Sequence, residues 1–358
     1  MAAVRRVRWC KPSPPTDALG EREGTAAAGV FGRLVVCGGF CSGFPTLDNS
    51  LWWAESTTTT DLEWRQAVVS GTPCSPRYGH SLTTVVVDGR PAMVVFGGHH
   101  QGSYMGEIAT LHLLKPALVP NPALGEASTA GAGADGAPPP GAEPEQVLSF
   151  EWSQPALTGD PLDPRGYHSA TFSSHDNSLY VFGGIAGGDS IASLQRVNLH
   201  TWEVSTVVAV AGDPPPPRYG NGLVSIGSRL WVVGGSNGGN LLREGEELPT
   251  VYSFDLETSA WAYHEVATHP EWLGRCLSAV AVGPNIVVFG GSADLSNEVA
   301  VWSTEACTWR GVREEAEPGA TRPEPCFNTT HVLLGGVLYM FGGWAHGPLG
   351  HTLRLQLD

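Results

Sequence analysis

The chain has 358 residues, 42% of them hydrophobic and only 15% charged, with 46 Gly, 28 Pro and 12 Trp. This suits many short buried strands joined by tight turns, not amphipathic helices. Its 20 Lys and Arg against 35 Asp and Glu give a formal charge of −15, which repels phosphate and argues against nucleic acid and anionic membranes as partners.

From the N-terminus, Arg5, Arg6 and Arg8 are followed by no apolar run, so a secretory signal is not expected, and no stretch of 18 or more apolar residues follows. A cytoplasmic protein is expected, with the nucleus as the other compartment. Seven cysteines, an odd number without a Cys-x-x-Cys pair, indicate neither a disulfide framework nor a zinc site. Val4 to Trp9 reads as a lone strand.

Thereafter the chain repeats. Six apolar runs end in Gly-Gly: Leu34 to Gly39, Met93 to Gly98, Leu179 to Gly184, Leu230 to Gly235, Ile286 to Gly291 and Leu338 to Gly343. Each reads as a strand stopped by a turn that needs positive φ or a close backbone approach. Ahead of these lie Arg22-Glu23-Gly24-Thr25, Arg77-Tyr78-Gly79-His80, Arg165-Gly166-Tyr167-His168, Arg218-Tyr219-Gly220-Asn221 and Arg275-Cys276-Leu277-Ser278. In the sixth copy Pro325-Cys326-Phe327-Asn328 puts Cys326 where the arginine belongs. Behind the glycines come a third strand and a fourth near a Trp; Phe254 to Trp261 and Trp302 to Trp309 share a spacing of seven.

Four strands per copy cannot bury both faces alone, whereas six such sheets packed around a channel can. The fold expected is all-β, a single six-bladed propeller over residues 1–358. Its blades are near 22–66, 77–154, 165–206, 218–265, 275–312 and 322–358. The last copy ends one strand short at Leu353 to Asp358, so residues 4–10 are expected to complete it. Residues 116–146, rich in Ala, Gly and Pro, read as a disordered insertion between the third and fourth strands of blade two.

On these motifs the chain resembles the kelch-repeat proteins, with Gly290-Gly291, Trp302 and Trp309 matching the kelch pattern best. Copies one and two depart from it in stretched connections, and copy three in lacking the downstream aromatic. The resemblance implies that partners bind at one mouth of the channel, where the loops between strands two and three emerge beside the connections between blades. On that rim fall Phe40, Cys41, His99, His100, Gln101, Asp189, Ser236, Asn237, Trp344 and His346, together with Arg243, Glu244, Glu246 and Glu247 of the long blade-four loop.

Arg22, Arg77, Arg165, Arg218 and Arg275 open the innermost strands, and if they converge they offer a site for a carboxylate or acidic peptide. Alternatively, each satisfies loop carbonyls of neighbouring blades. His80 and His168 share a position with Asn221 and Ser278 and are expected to cap turns. No catalytic set, metal or cofactor is indicated. The function expected is a monomeric, non-enzymatic module that binds a protein or peptide. The alternative is a carbohydrate-acting enzyme like galactose oxidase or a sialic acid epimerase, which share this kind of ring.

Overall fold

The structure is a computed structural model that describes residues 4–10, 19–41, 47, 49–55, 62–114, 117–119, 145–238, 245–266, 268–291, 295–318, 320, 322–346, 349, 350 and 352–358. Every regular element among them is a β-strand, and the strands form six antiparallel blades around a channel. In blade four the inner strand Gly222–Ile226 pairs with Arg229–Val233, then Val251–Asp255, then Ala260–His264 at the rim. Blades one and five repeat this order, from Ala26–Val30 and from Ser278–Val282. The seven-residue spacing marks cross-strand partners: Phe254 faces Trp261 and Trp302 faces Trp309 across the outer hairpin.

The ring closes as the sequence predicts. Blade six runs Thr330–Leu334, Val337–Phe341, Thr352–Leu357, and its fourth strand is Arg6–Trp9, antiparallel to Thr352–Leu357 with Val7 opposite Leu357. Trp9 is buried against Phe289 of blade five, ring centroids 5.6 Å apart. The N-terminal strand therefore contributes to the interior as well as to the sheet.

Blades two, three and six differ from the four-strand expectation. Each carries a fifth strand, parallel to the fourth, taken from the segment that arrives from the preceding blade: Val68–Gly71, Thr158–Gly159 and Arg313–Ala316. An outer strand would otherwise present a row of unpaired N–H and C=O groups, and the connecting chain covers it. In blade two the third and fourth strands, Ile108–Leu113 and Ser149–Ser153, flank a further antiparallel pair, Ala117–Val119 with Glu145–Val147. That pair overlaps both ends of the stretch 116–146 expected to be a disordered insertion and corrects it there, while residues 116 and 120–144 lie outside the described residues.

The core lies between blades. Six apolar clusters each join the facing sides of two neighbours; one packs Val35 and Trp53 of blade one against Met93, Val95 and Trp152 of blade two. The cluster that closes the circle packs Val332, Tyr339 and Phe341 of blade six against Leu34, Val36 and Trp64 of blade one. Burying both faces of every blade this way ties stability to completion of the circle.

Candidate functional site

Hydrogen bonds between blades fix the register of the mouth. The N–H of the second glycine in each pair donates to the next blade: Gly39 to Arg77 O (3.0 Å), Gly98 to Arg165 O (2.8 Å), Gly184 to Arg218 O (2.8 Å), Gly235 to Gly274 O (2.9 Å), Gly291 to Cys326 O (3.5 Å) and Gly343 to Arg22 O (3.2 Å). The pair must be glycine. Gly97 has φ 65°, and a Cβ there would lie 2.5 Å from Arg165 O; Gly98 has φ 100°.

This register corrects the repeat alignment in blade five. Gly274, not Arg275, holds the arginine's place, so Arg275 sits one residue further on, and the equivalent of His80 is Leu277 in place of Ser278. The residue two beyond the acceptor carbonyl has positive φ in all six blades: Gly24, Gly79, Tyr167, Gly220, Cys276 and Asn328. A second chain of bonds links them, Gly79 N to Gly24 O, Tyr167 N to Gly79 O, Gly220 N to Tyr167 O, Cys276 N to Gly220 O and Asn328 N to Cys276 O, each 2.7–3.0 Å.

The repeat arginines do not form a free cationic ring. Arg77, Arg165 and Arg218 are among the largest fully buried side chains of the protein, and Arg22 is also buried. Each donates to the carbonyl of the first glycine of its own blade's pair: Arg22 to Gly38 (3.3 Å), Arg77 to Gly97 (2.9 Å), Arg165 to Gly183 (3.0 Å) and Arg218 to Gly234 (2.8 Å). Arg77 is also paired with Glu107 at 2.6 Å and Arg165 with Asp163 at 2.9 Å. Burial lowers the Arg165 and Arg218 guanidiniums to about 10, which leaves both charged at neutral pH. A left-handed Gly-Gly turn leaves carbonyls pointing inward with no strand to receive them, and a long planar cation is the side chain that reaches them. The expected carboxylate-binding role of these arginines is thereby replaced by a bracing one.

The residue one before the positive-φ position runs along the mouth: Glu23, Tyr78, Gly166, Tyr219, Arg275 and Phe327. Its backbone pairs with the loop between strands two and three, as Glu23 with Phe40, Tyr78 with His99, Gly166 with Ile185, Tyr219 with Ser236 and Phe327 with Trp344. The loops expected on the rim are therefore built into the same end as the connections between blades. Glycines allow aromatic rings to lie down here. Tyr78 Cβ and its ring edge come within 3.1 and 3.4 Å of where a Gly24 Cβ would sit, and the Tyr167 ring lies 3.2 Å from that point on Gly79. Tyr78 meets Tyr167 and His99 edge-on, at 6.2 and 5.2 Å between centroids, and His99 meets Tyr104 at 5.2 Å.

The other candidates are dispersed around this rim. His99 and His100 form a short hairpin with Ser103 and Tyr104; His100 Nδ1 bonds Pro76 O at 2.6 Å, while burial, then the neighbouring His100, lowers the pKa of His99. Asn237 is exposed, and its Oδ1 accepts from Glu246 N at 2.8 Å. Trp344 is half-buried and His346 exposed. Arg275 is ion-paired with Glu247 and lies 6.0 Å from the Tyr219 ring centroid. Arg243, Glu244 and the side chain of Cys41 lie outside the described residues. Sequence reasoning missed Glu23, Tyr78, Tyr104, Tyr167 and Phe327 as rim residues; the signal for Glu23, Tyr78 and Phe327 was the position after the repeat arginine or its Cys326 replacement, and Tyr104 pairs with His99 in the loop behind the glycines.

Below the mouth the inner strands enclose a channel of about 620 Å³ lined mainly by Ala, Gly, Ser, Thr and aliphatic residues with Tyr167, Phe172, Asn221, Cys276 and Asn328, and its described wall contains no Asp, Glu, Lys or Arg. His80, His168 and His331 stand in that wall; burial lowers His80 to about 3 and His331 to about 4, and takes His168 well below its ordinary value. All three are neutral at physiological pH. His168 Nε2 contacts Ser81 Oγ at 2.9 Å and His331 Nε2 contacts Ala279 O at 3.0 Å, so both tie inner strands of neighbouring blades together.

Residues 146–343 match the model of the KLHDC2/KLHL20/DRC7 Kelch-repeats domain. Among curated proteins, the Rab9 effector protein with kelch motifs from Mus musculus is 37% identical over 100 residues, covering 26% of each chain. Kelch domain-containing protein 10 is 30% identical over 180 residues, 47% of this chain and 41% of the Rattus norvegicus protein or 38% of the Homo sapiens one. The chain thus matches well under half the length of these relatives.

Proposed function

The chain belongs to the kelch-repeat family, and from that premise we propose that it is a protein-interaction module whose partner, a protein or peptide, docks on the mouth bordered by the Gly-Gly turns. One observation carries the reading. Six blades bring Glu23, Tyr78, Gly166, Tyr219, Arg275 and Phe327, five residue types, to one repeat position at that end, while the backbone beneath is held uniform by the inter-blade bonds. A constant frame with a variable, partly aromatic rim is how a scaffold carries recognition. The name of the Rab9 effector relative, which denotes action on another protein, supports the same class of function. The uncharged channel wall and its buried, neutral histidines favour binding over acid–base chemistry.

The test is a binding screen with the full chain, repeated with Trp344→Ala/His346→Ala at the mouth and with Glu257→Ala/Thr201→Ala in turns at the opposite end. Partners that survive the second pair and are lost with the first support the reading. Partners lost only with the opposite-end pair overturn it.

A further inference from the structure

The charge at the mouth points to the class of ligand. Among the described residues every arginine near the mouth is already committed: Arg77 to Glu107, Arg165 to Asp163, and Arg275 to Glu247. Arg22 and Arg218 are buried on carbonyls. On the acidic side, Glu246 and Asp189 add further charge at the rim. Glu23 differs from these. It is half-buried in the first blade, beside Gly24, which Tyr78 covers, and no cation faces it among the described residues. Burial alone raises its pKa, and the Tyr78 ring that packs on the neighbouring Gly24 meets the Tyr167 ring at 6.2 Å between centroids.

We propose that the mouth captures a cationic side chain of its partner, a lysine ammonium or an arginine guanidinium, seated between the Glu23 carboxylate and the Tyr78 and Tyr167 rings. The inference rests on the mouth being the docking face and names the chemistry recognised there. A carboxylate that is partly desolvated without a counter-ion is held at a cost that an incoming cation removes. Two tyrosine rings meeting at 74° present a corner whose faces attract the same cation. The overall charge of −15 steers a basic segment toward this protein. An acidic ligand would meet Glu23, Glu246 and Asp189, with no free guanidinium among the described residues to receive it.

The experiment selects phage-displayed random dodecapeptides on the full chain. It retains those whose binding falls with Trp344→Ala/His346→Ala, then measures each synthetic peptide against the native protein and Glu23→Gln. The expected result is that mouth-dependent peptides contain a Lys or Arg whose replacement by norleucine or citrulline abolishes binding. Glu23→Gln should weaken them by at least about tenfold, the scale of one charge-assisted hydrogen bond, with the melting temperature unchanged. The Lys and Arg arms distinguish ammonium from guanidinium. Mouth-dependent peptides that are acidic or neutral, or whose affinity ignores Glu23→Gln, overturn the cation site and leave the docking face standing. A selection yielding no mouth-dependent peptide overturns both.

Discussion

Replacing Arg165 with Ala separates a bracing arginine from a ligand-binding one. Its guanidinium is fully buried and donates to Gly183 O at 3.0 Å, Ser193 O at 3.3 Å, Ser193 Oγ at 2.8 Å, Gln195 Oε1 at 2.8 Å and Asp163 Oδ2 at 2.9 Å. Alanine removes the buried Gly183 carbonyl's guanidinium donor, at about 1–3 kcal/mol, leaves Gln195 Oε1 with only the Asp163 N–H at 3.1 Å, strips Asp163 of its cation, and opens a cavity where the side chain lay. A total loss of about 4 kcal/mol is expected, in the range for removing one member of a buried charged network. A chain of this size unfolds with an entropy of roughly 0.75 kcal/mol/K, so the melting temperature should fall by roughly 5 °C. Scanning calorimetry reads the shift, and the affinity of the remaining folded protein for a mouth-directed peptide should stay nearly constant. An unchanged melting temperature with weakened binding would refute the bracing role.

Acid should destabilise the ring. His80, His168 and His331 are held neutral when folded, while an unfolded His titrates near 6.5; stability is complete above that value and is lost as pH falls toward about 4 for His331 and about 3 for His80. Urea midpoints measured from pH 7 to 4.5 should fall more steeply for the native chain than for His331→Gln, and equal slopes would contradict this. Deleting residues 1–10 removes the fourth strand of blade six and Trp9 from its core, so the truncated chain should aggregate or melt much earlier. A soluble truncation with native melting would sink that account of closure. Gly97→Ala forces a Cβ to 2.5 Å from Arg165 O at φ 65° and should lower stability by about 3 kcal/mol or more, measurable as a shifted denaturant midpoint.

The repeated features that steric rules enforce were legible in the sequence. Both glycines of every Gly-Gly turn sit at positive φ, so all six turns are spelled out, and with them the strand order and the ring. The positive-φ position at the mouth was legible only where glycine fills it. Tyr167, Cys276 and Asn328 adopt that conformation without announcing it, so Arg275 was aligned one residue early. The fate of the arginines was hidden for another reason: a cation beside a turn can face solvent or carbonyls, and only the turn's own geometry shows which carbonyls need a donor. The fifth strands were invisible because Val68–Gly71 and Arg313–Ala316 have exposed faces and no strong alternation.

Site-specific photo-crosslinking reads out which end of the ring the partner occupies. A benzophenone side chain is placed in turn at Asn237 and His346 on the rim, and at Thr201 and Glu257 in turns between third and fourth strands at the other end. Illumination of the full chain with its bound partner should yield adducts from Asn237 and His346 and none from Thr201 or Glu257. Adducts from the opposite end alone would contradict the account.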